Sequence, residues 1–216
     1  MNKTAAITEQ TRQLEIAALA ITGIGKFIFM DWLDLKFLYI SVTILFWVSY
    51  IFFRYKQNKA IVQYWGLNTI RFKESFLELL PIAVLLVVSF IIVGEYMETN
   101  VLSWHIIPIL LLYPLWGIVQ QFIMIGILAS NLRDMQSVQL PTYIIIILTA
   151  LVFGAIHYPF IVLIIGTFFL ALVYTTLFFK DRNLIVMGIY HGWLGAFFYY
   201  TIMGQDVFAD VFSKLL

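Results

Sequence analysis

Apolar residues fall into seven long stretches along the chain, and nearly all the charged residues lie between them. A helix needs about 20 apolar residues to cross ~30 Å of hydrocarbon, so each stretch reads as a candidate span. The first, Leu14 to Met30, is the weakest, with Glu15 and Lys26 near its ends and Gly23 and Gly25 between them. An interfacial helix would also suit it, but reading it as a span makes the downstream charges consistent. Leu35 to Phe53 is a clear second span, ending in Arg54-Tyr-Lys-Gln-Asn-Lys59. The mixed segment Ala60 to Ser75 carries Trp65, Arg71 and Lys73 and reads as a basic amphipathic linker on the membrane surface. The third span covers Phe76 to Val93 and leads to Glu95 and Glu98.

The fourth segment, Trp104 to Leu128, is long, and Pro114 and Gly117 offer a kink inside it. A loop is expected over Asn131 to Leu140. The fifth span runs from Pro141 to about His157, before Tyr158-Pro159. The sixth covers Phe160 to Phe179, and the seventh Leu184 to Met203, followed by a short amphipathic tail. Together these predict an all-α, polytopic membrane bundle of about seven helices (six to eight), as one membrane domain over residues 1–216 without repeats. Counting positive charges, Arg54, Lys56, Lys59, Arg71 and Lys73 mark the cytoplasmic side, and alternation puts Arg133, Lys180 and Arg182 there too. The N-terminus is then cytoplasmic.

Composition narrows the class. The chain is 62% hydrophobic and 12% charged, with a mean hydropathy of +0.96. A soluble domain averages about a quarter charged residues, so this one has too few to cover a water-facing surface. A net charge of +1 excludes the basic surface that a nucleic-acid partner requires. The absence of cysteine removes disulfides, thiolate chemistry and cysteine-held metals. The polar start, with Glu9 and Arg12, differs from the basic start of a cleaved signal peptide.

Polar residues inside apolar stretches are the candidates for chemistry. Gln120 and Gln121 are adjacent amides in the fourth span. They could be interhelical hydrogen-bond glue, worth ~0.6 to 2 kcal/mol per contact, or they could face a wet cavity. His157 ends the fifth span and His191 lies inside the seventh, while His105 stands beside Trp104 at the outer mouth as an interfacial residue. Two histidines without a third ligand or any cysteine do not make a zinc site, and neither a metal nor another cofactor is expected. No carboxylate occurs between Glu98 and Asp134, between Asp134 and Asp181, or between Asp181 and Asp206. That weighs against a general base, because an amide cannot take a proton at neutral pH. At ~1.5 Å per residue, Gln120 and His191 both fall in the inner half of their helices, whereas His157 falls towards the outer face.

The order and spacing of three motifs resemble the CPBP family of intramembrane glutamic proteases, which includes CAAX prenyl proteases, bacteriocin-processing and immunity proteins, and lysostaphin-resistance-type proteins. The family's Glu-Glu-x-x-x-Arg aligns with Gln120-Gln121-Phe-Ile-Met-Ile125, its Phe-x-x-x-His with Phe153 to His157, and its His-x-x-x-Asn or Asp with His191 to Gly195. The resemblance is strongest over residues 104–203. It implies that Gln120, Gln121, His157 and His191 occupy the catalytic positions. Gln120 and His157 would hold a water, and His191 would be an oxyanion donor. Phe153, Gly195 and Trp116 would contact substrate, a transmembrane or lipidated peptide. This sequence departs from the family at both glutamates, at the arginine (Ile125) and at the last polar position (Gly195). A weakly active protease or a peptide-binding pseudoprotease of a bacterial plasma membrane is therefore expected. The alternatives are a protease whose base is a loop carboxylate such as Glu78 or Asp134, and a small transporter or channel with a histidine-lined path.

Overall fold

The computed structural model describes residues 7–212, and these are helical with no strand among them. The helices are α1 (Glu9–Trp32), α2 (Lys36–Gln57), α3 (Ala60–Tyr64), α4 (Phe72–Tyr96), α5 (Ile106–Asp134), α6 (Thr142–Ala155), α7 (Ile161–Asp181), α8 (Leu184–Thr201) and α9 (Val207–Phe212). Five of them, α1, α2, α4, α5 and α7, are long and apolar enough to cross a membrane. Two expected spans fall outside that group for different reasons. Helix α6 has 14 residues, and the 18 residues of α8 include Tyr190, His191 and glycines at 188, 192 and 195.

The contacts divide the chain into two units. The first holds the residues up to Asn68 together with Gln121–Leu184, and the second holds Thr69–Gln120 with the residues from Ile185 onward.

In the first unit, α1 and α2 run antiparallel. The Tyr39 hydroxyl donates to the Thr22 carbonyl at 2.7 Å near one end, and Arg54 Nη1 reaches Glu15 at 3.3 Å near the other. Aromatic rings fill the interior. Trp65 lies 5.0 Å from Phe122 edge to face, and Trp47 lies 5.8 Å from it. The linker's apolar stripe therefore packs into protein rather than into lipid. Ile61, Tyr64 and Trp65 are buried in this unit, because the same i, i+3, i+4 stripe that could enter lipid finds protein instead.

The charges near α1 explain why its polar residues are tolerated. Asn131 Nδ2 donates to Glu15 at 2.6 Å, and the Tyr50 hydroxyl donates to the same carboxylate. Arg12 Nη1 donates to Asn131 Oδ1 and to the Tyr64 hydroxyl, each at 2.9 Å. The Tyr64 hydroxyl donates to Asp134 at 2.6 Å. Burial, and then the hydrogen bond to Asp134, push the Tyr64 phenol well above its usual range, so it acts here as a donor. The Arg182 guanidinium lies over the Tyr64 ring at 5.0 Å. Helix α5 continues through Asn131 and Asp134, where the sequence suggests a loop, since both side chains are held by these partners.

In the second unit, α4 and α8 run alongside each other. Phe76 lies 4.9 Å from Tyr190 and Phe90 lies 5.2 Å from Phe198. A buried cluster of Ile109, Ala196, Tyr200 and Val207 ties α9 to α5 and α8. His105 is more than an interfacial residue: its Nδ1–H donates to Asp206 at 2.6 Å and its ring lies 4.8 Å from Phe208. Burial raises the Asp206 carboxyl, but hydrogen bonds from the Ala209 N–H, His105 and Tyr200 outweigh it and hold it below its usual value.

Replacing Asn131 with Leu would leave Arg12 and Glu15 buried with incomplete partners. The expected cost is about 3 to 5 kcal/mol, measured as a lowered unfolding midpoint in detergent. An unchanged midpoint would show that the network does not hold α1.

Candidate active site

Close approach of α5 and α8 positions the candidate residues of the second unit. A Cβ on Gly117 would lie 2.3 Å from the Gly188 carbonyl oxygen and 2.9 Å from the Gly192 nitrogen. A Cβ on Gly188 would lie 2.4 Å from the Ile118 Cα, and one on Gly192 would lie 2.6 Å from the Pro114 nitrogen. Only residues without a side chain permit this contact, the geometry of small-xxx-small packing in membranes. The pattern Gly188-Ile-Tyr-His-Gly192 is legible in the sequence, but it is missed when glycines are read only as flexibility. Gly117 consequently serves as a contact residue rather than a kink. Helix α5 runs on past Pro114, and its irregular stretch, with widened π-type turns over Phe122–Ala129, comes after the glutamines. Such stretches are frequent at functional sites.

This packing sets Gln120 against His191. His191 Nε2 lies 3.0 Å from Gln120 Oε1. The amide oxygen only accepts, so the imidazole Nε2–H donates to it, and in the neutral ring the acceptor is Nδ1. His191 itself is 8% exposed. The neighbouring indole anchors the same helix, with Trp193 Nε1 donating to the Leu110 carbonyl at 3.0 Å. Gly195 and the half-buried Trp116 belong to the same unit. A Cβ on Gly195 would meet only Tyr113, at 3.9 Å, so there is room for the side chain that the family carries there.

Gln121, His157 and Phe153 belong to the first unit. Gln121 is 1% exposed, and its Nε2 has no hydrogen-bond partner among the described residues. An unsatisfied buried donor costs about 1 to 3 kcal/mol, so its amide is available to a water or to a carbonyl oxygen. His157 lies two residues past the end of α6, in a turn, close to the span end expected there. Its Nδ1–H donates to the Phe153 carbonyl at 2.7 Å, and the Phe153 ring meets it edge to face at 5.1 Å. This leaves Nε2 as the acceptor of the neutral ring. Lys26 Nζ donates to the adjoining Tyr158 carbonyl at 2.9 Å. Lys26 lies 14 residues beyond Arg12 on α1, or ~21 Å at 1.5 Å per residue. His157 therefore sits at the end of the first unit remote from Arg12.

Neither carboxylate considered as a substitute base lies in a loop. Asp134 ends α5 and is engaged by Tyr64, Arg12 and Arg133. Glu78 is an exposed residue of α4. No group of His, Asp and Glu that could hold a metal ion occurs among the described residues.

Replacing Gly188 with Leu should lower the unfolding midpoint, by about 1 to 3 kcal/mol or more for overpacking, because it separates α5 from α8. Replacing Gly195 with Asn should leave the midpoint unchanged. Equal effects of the two substitutions would contradict the packing described.

The family profile described as Rce1-like, type II CAAX prenyl endopeptidase Rce1-like, matches residues 102–197. No curated protein and no solved structure matches the chain. The matched segment includes all three motifs, with Gln120 on α5, Phe153 and His157 at the end of α6, and His191 on α8. This segment is similar to the Rce1-like type II CAAX prenyl endopeptidases, and the long apolar helices make the chain a membrane protein.

Proposed function

We propose that this chain binds a transmembrane or lipidated peptide in a site of the CAAX-protease type without ordinary proteolysis, its role being peptide immunity or regulation of another membrane protein. The observation that carries this reading is the 3.0 Å hydrogen bond between His191 and Gln120. It occupies the family's glutamate position with an amide, which accepts a hydrogen bond but not a proton. A general base must take a proton from water. His191, the position expected to donate to an oxyanion, already donates its Nε2–H to Gln120. Gly195 supplies no second donor, and losing one such donor alone costs about 100- to 1000-fold in rate.

Binding needs less than cleavage. In the second unit Gln120 retains an amide N–H group that can meet a peptide carbonyl; in the first unit, taken by itself, Gln121 retains one as well and His157 an acceptor at Nε2. In the second unit the half-buried Trp116 supplies apolar surface of the kind that peptide side chains or lipid contact. The engagement of Asp134 with Tyr64, Arg12 and Arg133 speaks against its serving as the missing base. The setting proposed is a bacterial plasma membrane with the N-terminus cytoplasmic, consistent with Arg12, Arg54, Arg133 and Arg182 all lying near the Tyr64 end of the first unit.

The test is incubation of purified protein with labelled membrane-spanning and lipidated peptides, beside the His157→Ala and His191→Ala variants. Peptide retention without cleavage, weakened about tenfold by each substitution, is the expected result. Cleavage by the parent that disappears in both variants would overturn the proposal.

A further inference from the structure

Lys26 lies inside the first apolar stretch, where a lysine ordinarily extends its ammonium to water. Here the side chain is only 17% exposed. The ammonium donates to Asp31 Oδ2 at 2.6 Å and to the Tyr158 carbonyl at 2.9 Å. A sheltered ammonium is costly unless it is paired and hydrogen-bonded, and these two acceptors meet that condition. One is an acid on the same helix. The other is the backbone of the turn that carries His157.

Two features of α1 build this contact. Lys26 and Asp31 are five residues apart, a spacing that diverges around a regular helix of about 3.6 residues per turn. The widened, π-type turns over Lys26–Trp32 bring Asp31 round to the lysine, a departure from regular winding that is frequent at functional sites. Gly23 stands three residues before Lys26, on the same face. A Cβ there would lie 3.3 Å from the Ile156 Cδ1. One face of α1 thus meets Ile156 and Tyr158, the residues on either side of His157, whose Nδ1–H is held by the Phe153 carbonyl at 2.7 Å.

We infer that Lys26 is a positioning residue for His157: with Gly23 it fixes the turn over residues 156–158 against α1, so that the imidazole keeps its Nδ1–H on Phe153 and presents Nε2 as an acceptor. The inference rests on the reading of His157 as a contact for bound peptide. It assigns part of that residue's support to α1, outside the residues 102–197 that match the endopeptidase profile.

Nitrogen NMR of the histidine-labelled full chain, without peptide, tests this. The His157 Nδ1 proton should exchange slowly in the parent and about tenfold faster in Lys26→Met, which loses a hydrogen bond from a charged donor. Lys26→Arg, which can still donate to the Tyr158 carbonyl, should restore slow exchange. Asp31→Asn, at a side chain 35% exposed, removes the lysine's acid and should speed exchange in the same direction. Unaltered exchange in Lys26→Met or in Asp31→Asn, or no rescue in Lys26→Arg, would overturn the inference. Peptide retention should fall in Lys26→Met as far as in His157→Ala, and no further in the double variant. A further fall there would show Lys26 acting independently of His157 and would also overturn it. Retention unchanged in His157→Ala would instead sink the peptide-binding reading, and the exchange rates would still decide whether Lys26 holds the ring.

Discussion

Backbone meets backbone where Gly117 faces Gly188 and Gly192, and the candidate site depends on that contact. Between membrane helices the lipid offers no hydrophobic driving force, so association relies on close packing and on polar bonds formed within it. The glycines provide both. They let α5 and α8 approach until no side chain fits between them, and at that spacing the Gln120 and His191 side chains are within hydrogen-bonding distance. Larger residues at these positions would separate the polar pair as well as the helices. Packing and chemistry are here one constraint, and Gly195, beside open space, lies outside it.

The first unit solves a different problem. Helix α1 carries Arg12 and Glu15, which a lone span could hardly bring into hydrocarbon. Asn131 bridges the two, while Tyr64 joins Arg12 to Asp134. Each buried charge thereby has a partner that is itself bonded, the condition under which such charges are tolerated. The irregular π-type stretch of α5, Phe122–Ala129, lies between the glutamines and this network and is buried throughout. The same helix thus bears the candidate site and the charge cluster on either side of a stretch that departs from regular winding.

Much of this fold is legible in the sequence because hydrophobic length is a strong signal. All seven apolar stretches become helices, and Ile161–Asp181 matches its expected span within two residues at each end. Where sequence and structure part, the cause is a distant partner. The end of α5 reads as loop because Asn131 and Asp134 are polar, and nothing local reveals that Arg12 and Tyr64 wait for them. The Ile61, Tyr64 and Trp65 stripe has the same spacing whether lipid or protein receives it. Gln120 and His191 are recognisable as polar residues of similar depth, but their direct bond follows from the glycine contact. The direction of that bond, which bears on catalysis, appears only once the atoms are placed.

The central claim is that Gln120 holds the Nε2 proton of His191, and nitrogen NMR of histidine-labelled protein tests it most directly. The account predicts a neutral His191 ring protonated at Nε2, whose proton exchanges slowly with solvent and becomes faster to exchange in Gln120→Leu. A ring protonated at Nδ1 alone, or exchange unaltered by Gln120→Leu, would contradict it.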